Sequence, residues 1–227
     1  MITTYPRALR GPRILPYLAG ASILAGAVAL FMALAWAPAD ANQGDLQRIM
    51  YVHVPAAWLA YLAFVIVFLA SVAWLWGRWP LADAIAVASA EIGVMFTGLA
   101  LVLGSVWAKP TWGVWWTWEP RLITTAVMFA MYVGYLLLRS LSSDFERRAT
   151  RAAVVGAIAV LNVPVVHLSV TWMNALHQLP SVLRPGPPAL DGRMLTTLVV
   201  CVIALTIFYA YCMVVRVSLE RGRRARA

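Results

Sequence analysis

Leu195-Thr-Thr-Leu-Val-Val-Cys201-Val-Ile-Ala-Leu-Thr-Ile-Phe-Tyr-Ala-Tyr-Cys212-Met-Val-Val-Arg216-Val217 carries one charge, and that charge lies next to its end. At about 1.5 Å per helical residue such a run exceeds the ~30 Å of bilayer hydrocarbon. Working back from it, five more apolar runs follow the same rule: Ile14–Ala37, Tyr51–Trp76, Ala84–Val106, Leu122–Leu138 and Ala152–Val170. Each is bounded by charge, Pro or Gly, where helices stop. The first run is too long for the apolar part of a leader peptide and reads as a retained span. The expected fold is an all-α integral membrane protein, one domain over residues 1–227 with six transmembrane helices. External loops are expected at 38–50, at 107–121 and at 171–194.

Composition agrees. Of the 227 residues, 63% are hydrophobic and 12% charged, whereas a soluble domain carries about 25% charged residues. This excludes an ordinary soluble enzyme, a disordered tail and a nucleic-acid module. The net charge of +9 is a topology signal. Thirteen of the 18 basic residues fall on one side of the six spans: Arg7, Arg10 and Arg13; Arg78; Arg139, Arg147, Arg148 and Arg151; Arg216, Arg221, Arg223, Arg224 and Arg226. Arg48, Lys109, Arg121, Arg184 and Arg193 fall on the other. Basic loops stay cytoplasmic, so both termini are predicted to be cytoplasmic, with weak attraction to anionic lipid. Cys201 and Cys212 both lie inside the last run, and the chain has no CxxC or CxxCH. It is therefore neither a thiol exchanger nor a carrier of covalently attached haem.

On that orientation all three histidines collect at the outer side. His53 starts span two, His167 ends span five and His177 follows it. A single histidine is more often a bonded core residue than a ligand. Three on one side of so apolar a chain weaken that reading. The tryptophans weaken it further. Five of the eleven fall between Trp107 and Trp118, in Trp107-Ala-Lys-Pro-Thr-Trp112-Gly-Val-Trp115-Trp116-Thr-Trp118-Glu119-Pro120-Arg121. Trp favours membrane interfaces, and Trp36, Trp58, Trp74, Trp76, Trp79 and Trp172 are left to that reading. Anchoring one loop needs one or two, not five. As a helix, the stretch would align Trp112, Trp115, Trp116 and Glu119 on one face, a wall on which planar ligands stack. Lys109 and Arg121 flank it and suit ligand carboxylates. Haem, a flat ring with two propionates and an imidazole-binding iron, is the economical ligand for this set.

Here the chain resembles the CcmC family of haem-handling proteins in c-type cytochrome assembly. The resemblance rests on Trp112-Gly-Val-Trp115-Trp116-Thr-Trp118-Glu119-Pro120-Arg121-Leu122, Tyr51-Val-His53-Val-Pro55, Asn162-Val-Pro164-Val-Val-His167-Leu-Ser169 and Trp172-Met-Asn174-Ala-Leu-His177-Gln178. It extends to Ala37-Pro38-Ala39-Asp40 and Gly104-Ser105-Val-Trp107-Ala-Lys109-Pro110, and so over nearly the whole chain. It implies haem b held at the outer face by two axial histidines, which fall on His53 and His177. Arg48 and Arg121 fall where the family has basic residues near the haem and become propionate candidates. Trp112, Trp115, Trp116, Trp118 and Glu119 become wall and rim. The implied partners are the haem chaperone CcmE, the ABC-type subunits CcmA and CcmB, the small protein CcmD and the lipid bilayer. The family's signature usually ends Trp-Asp. Because Asp caps helices better than Glu, Glu119 is expected to cap poorly while Pro120 takes the first helical position.

Alternatives separate by placement. A transmembrane haem transporter subunit needs polar residues along a path, and only Glu91, about seven residues or roughly 10 Å into span three, is deep and charged. It is either functional or bonded structurally. A b-type electron-transfer protein favours mid-span histidine pairs, and these histidines lie at the edge. His167 is either a group bonding the ligand or a spare ligand. Without a phosphate-binding loop, the reading favours a binding and transfer protein over an enzyme.

Overall fold

A computed structural model describes residues 12–172, 177, 182, 184 and 186–224. Arg7, Arg10, Arg226 and residues 173–176, 178–181, 183 and 185 of the loop expected at 171–194 lie outside the described residues. Six helices are long and apolar enough to cross a membrane. The first, α1 (Leu15–Phe31), runs on as a π-helical turn, Met32–Trp36. A 3-10 turn, Asp45–Ile49, leads into α2 (Met50–Gly77), followed by α3 (Pro80–Trp112) and α4 (Pro120–Ser140). The fifth span divides into α5 (Phe145–Ala159) and α6 (Asn162–Trp172), and α7 (Gly192–Arg224) closes the set. No strand occurs among the described residues; Asp40 and Gly44 form one isolated bridge.

The division of span five follows from Pro164. Proline has no N–H to give the carbonyl four residues back, and its ring clashes with that carbonyl. That position is Val160, where α5 stops and three-residue spacing takes over, with Leu161 N–H to Ile158 O and Val163 N–H to Val160 O. The Asn162 side chain then donates to Thr124 O of α4 at 2.9 Å, holding the break against its neighbour.

Apolar burial does not drive helices together in lipid; close packing and buried hydrogen bonds do. The α2–α3 seam is accordingly small-sided, with Ala56, Ala63 and Ala100 beside Leu59, Ile92 and Phe96. Ser89 Oγ donates to Ala63 O at 2.7 Å and lies 2.7 Å from the Tyr209 hydroxyl, tying α2, α3 and α7. Phe64 stacks flat on Tyr132 of α4. Ala29 of α1 and Ala33 of the π-helical turn meet Leu198, Cys201 and Ala204 of α7; Cys201 is buried there, and Cys212 is partly buried.

At the rim where α3 begins and α4 and α7 end, Asp83 accepts from Arg139 at 2.6 and 2.9 Å and from Arg224 at 2.5 Å. Asp83 is 2% and Arg139 7% exposed. Sequence reasoning took both arginines as topology markers and missed their shared partner. Glu91 is also bonded, with Arg216 Nε 2.6 Å away. The start of α3 at Pro80 puts Glu91 about 16 Å along the helix. The opposite rim gathers the ends of α1, α3 and α6 and the starts of α2, α4 and α7. There the polar groups are arranged differently.

Candidate functional site

All three histidines face one cavity at that rim, of about 310 Å³. His53 comes from the first turn of α2, and Pro55 lies two residues further on, inside the helix, where its missing N–H leaves the Tyr51 carbonyl without the usual helical donor. His167 comes from α6, and His177 from the segment between α6 and α7. Tyr61, Trp58, Trp107, Thr125 and Arg121 complete much of the wall. A smaller cleft of about 120 Å³ adjoins it, lined by Gln43, Thr111 and Trp112. His53, Gly104, Trp107 and His177 line both spaces, so the two imidazoles stand where the cavity and the cleft meet. Gly104 is small for a reason: a Cβ there would lie 3.0 Å from His53 Cε1.

The histidines have different supports. His53 Nδ1 is buried without a hydrogen-bond partner among the described residues, and so is Arg121 Nε. Buried polar atoms are nearly always paired, so two orphans facing one cavity indicate a ligand. The rest of the Arg121 fork is partly used, Nη2 donating to His167 O at 3.2 Å. His177 is gripped by Glu119. Its Nδ1 is 2.5 Å from Oε1, and its backbone N–H donates to Oε2 at 3.1 Å. Burial moves the His177 pKa down from its ordinary 6.5, Arg121 pushes the same way, and Glu119 opposes. The neutral ring donates from Nδ1 to the carboxylate, leaving the Nε2 lone pair free.

Indoles abut both rings edge-on. Trp107 stands 5.9 Å from His53 and Trp112 5.3 Å from His177, between centroids. The helical wall expected over 112–119 does not form. Helix α3 ends at Trp112, because Gly113 turns left-handed at φ +79° and its N–H returns to Lys109 O. That is the ordinary glycine helix stop, a signal that was present in the sequence. Trp115 and Trp118, 58% and 81% exposed, line neither space. Trp116 packs edge-on against Trp118, with its indole N–H buried and unpaired among the described residues. Trp58, left to the interfacial reading, lines the cavity instead.

As expected, Pro120 opens α4 and the Glu119 side chain makes no cap. Glu119 turns to His177 rather than to Arg121. Arg48 lines neither space. Its Nε bonds Asp45 at 2.7 Å, and its Nη1 reaches Ala33 O and Ala37 O at 2.5 and 3.2 Å. A cation at those carbonyls closes the end of span one. Lys109 bonds Gly113 O at 2.9 Å and lines neither space. Among the described residues no cluster of His, Cys, Asp and Glu could hold a bare metal ion. An iron bound here must bring most of its own ligands.

Comparison with known proteins identifies the family. The family described as CcmC, heme exporter protein C, matches residues 6–227. The chain belongs to the CcmC family. It is 42% identical over 197 residues to heme exporter protein C of Bradyrhizobium diazoefficiens, covering 87% of this chain and 74% of that one. The protein of the same name from Haemophilus influenzae is 36% identical over 209 residues, 92% and 85% of the two chains. A putative cytochrome c biosynthesis ccmC-like mitochondrial protein of Marchantia polymorpha is 37% identical over 160 residues, 70% and 68%. A CcmC-family chain thus carries its three histidines on one apolar cavity with an arginine on its wall.

Proposed function

We propose that this chain binds haem b at the outer face of the cytoplasmic membrane and hands it to a CcmE-type chaperone for c-type cytochrome assembly. The observation carrying this reading is the shared boundary of the two spaces, where His53 and His177 meet beside Trp107 and Trp112. The cavity's size lies at the lower end of the ~300–1,000 Å³ usual for ligand sites, and the adjoining cleft extends it. Haem fits the donor set. Its iron accepts imidazole, its ring suits Trp58, Trp107 and Trp112, and its propionates suit Arg121, whose Nε is orphaned. Arg48 contributes by holding the end of span one beside α2. Trp115, Trp116 and Trp118, outside the cavity, form the rim that a docking chaperone meets. The charge bias supports cytoplasmic termini, which sets this rim outside. CcmA, CcmB and CcmD are the proposed membrane partners. The donor set suits binding and release, and on this reading the chain serves as a carrier.

The test is the visible spectrum of protein purified with haem. His53→Ala and His177→Ala are each expected to lose most bound haem and to recover a six-coordinate spectrum with added imidazole. Full haem content and an unchanged spectrum in the double variant refute the proposal.

A further inference from the structure

Glu119 uses both carboxylate oxygens on one residue. Oε1 meets the His177 ring nitrogen at 2.5 Å and Oε2 accepts the His177 backbone N–H at 3.1 Å. The carboxylate is itself buried, and the cation nearest to it in sequence, Arg121, bonds a carbonyl instead. A loop anchor needs only the backbone bond. The ring bond does something else. A carboxylate accepts only, so it fixes the proton on Nδ1 and turns Nε2 toward whatever the ring faces. It also makes Nε2 more basic. Among the described residues His53 has no carboxylate partner, and its Nδ1 makes no hydrogen bond. The two imidazoles at the boundary are therefore electronically unequal.

The geometry points to Glu119 as the positioning residue that sets the strength of the His177–iron bond, holding bound haem toward the ferric state and making His53 the weaker ligand. This rests on the proposed axial role of the two histidines. A more basic imidazole stabilises Fe(III) over Fe(II) and lowers the reduction potential. Of the two ligands, His53 is then the one that exchanges first when haem leaves.

The experiment is a redox titration of protein purified with haem, comparing wild type, E119Q and E119D. E119Q is expected to raise the midpoint potential, while E119D, which keeps the carboxylate, stays nearer wild type. Exogenous imidazole is expected to replace His53 before His177 in wild type, and that preference to narrow in E119Q, where a neutral acceptor replaces the carboxylate. An unchanged potential in E119Q overturns the inference. So does a shift in E119D as large as that in E119Q, because the effect is then loop disturbance. A check that leaves Glu119 intact uses the fraction of haem that H53A retains, in which His177 is the remaining protein ligand. Its ferrous iron–imidazole stretch is expected at the high frequency of a carboxylate-bonded histidine, and a frequency typical of weakly bonded imidazole overturns the assignment. Full haem content in the His53 and His177 double variant would instead strike the axial reading, which separates the two failures.

Discussion

The two rims of the bundle differ in what their buried charged and titratable side chains face. At one rim Asp83, Arg139 and Arg224 satisfy one another across three helices. At the other, His53 Nδ1, Arg121 Nε and Trp116 Nε1 are buried and unpaired among the described residues. Both arrangements sit among apolar helices, so both had to overcome the cost of burying polar groups. Paired groups recover that cost inside the chain and can only hold helices together. Unpaired groups recover it when something else arrives. Orphaned atoms occur toward the paired rim as well, Arg148 Nε and Tyr135 Oη among them, so it is an orphan on a cavity wall, as at His53 and Arg121, that marks a ligand.

The comparison breaks most visibly at the paired rim. Asp83→Ala leaves Arg139 without its paired anion, while Arg224 keeps only Glu220, at 3.1 Å. Removing one partner of a buried ion pair costs about 3–5 kcal/mol. Thermal unfolding in detergent is expected to show that loss, while haem per folded protein stays at the wild-type ratio. A fall in haem content at unchanged stability would erase the distinction between the rims.

At the unpaired rim the smaller lever is Gly104. Alanine there brings a methyl 3.0 Å from His53 Cε1, and the ring must move. Overpacking costs about 1–3 kcal/mol, and a misplaced ligand registers it as binding, so haem affinity is expected to fall roughly tenfold or more. Stability of the haem-free protein should change little. Equal affinity in Gly104→Ala would show that His53 adapts freely, contrary to a preformed site.

The same rim should respond to acid. His177 is held below its ordinary value of 6.5, first by burial. Its neutral form, the one that can bind iron, is favoured above that value and persists somewhat below it. Binding is therefore expected to be flat from neutral pH down through the ordinary value of 6.5, and to fall only as pH drops through the lowered value. Measured as haem retained against pH, an acid limb above 6.5 would contradict the burial.

How much of this was legible beforehand divides along physical lines. Spans were readable because each obeys a local rule of length and apolarity, and the clustering of His53, His167 and His177 followed from span parity. Pro120 at the head of α4 was readable for the same reason. The stop at Gly113 was readable too, but helical spacing was weighed above a glycine that the pattern itself contained. Glu119 with His177, 58 residues apart, and Asp83 with Arg139, 56 apart, were not readable, since no local rule links them. The role of Trp58 depended on how α2 is rotated against α3 and α4, which is set by packing.

The smallest effect sharpens the comparison from within the paired rim. Arg78 and Glu146 approach to 3.8 Å with side chains 47% and 72% exposed. Their charges match those of Asp83 and Arg139, but water or headgroups can solvate each one alone. Exposed pairs contribute about 0–1 kcal/mol, so Glu146→Gln is expected to lower the unfolding temperature slightly or not at all, and raised salt should remove any difference. Arg78 also bonds Thr150 Oγ1, which survives the change and keeps the α2 terminus in place. A loss comparable to that of Asp83→Ala would mean that charge count, not burial, ties this rim together. The orphaned atoms at the other rim would then lose their meaning as well, because that meaning rests on the same cost of taking a polar group out of water.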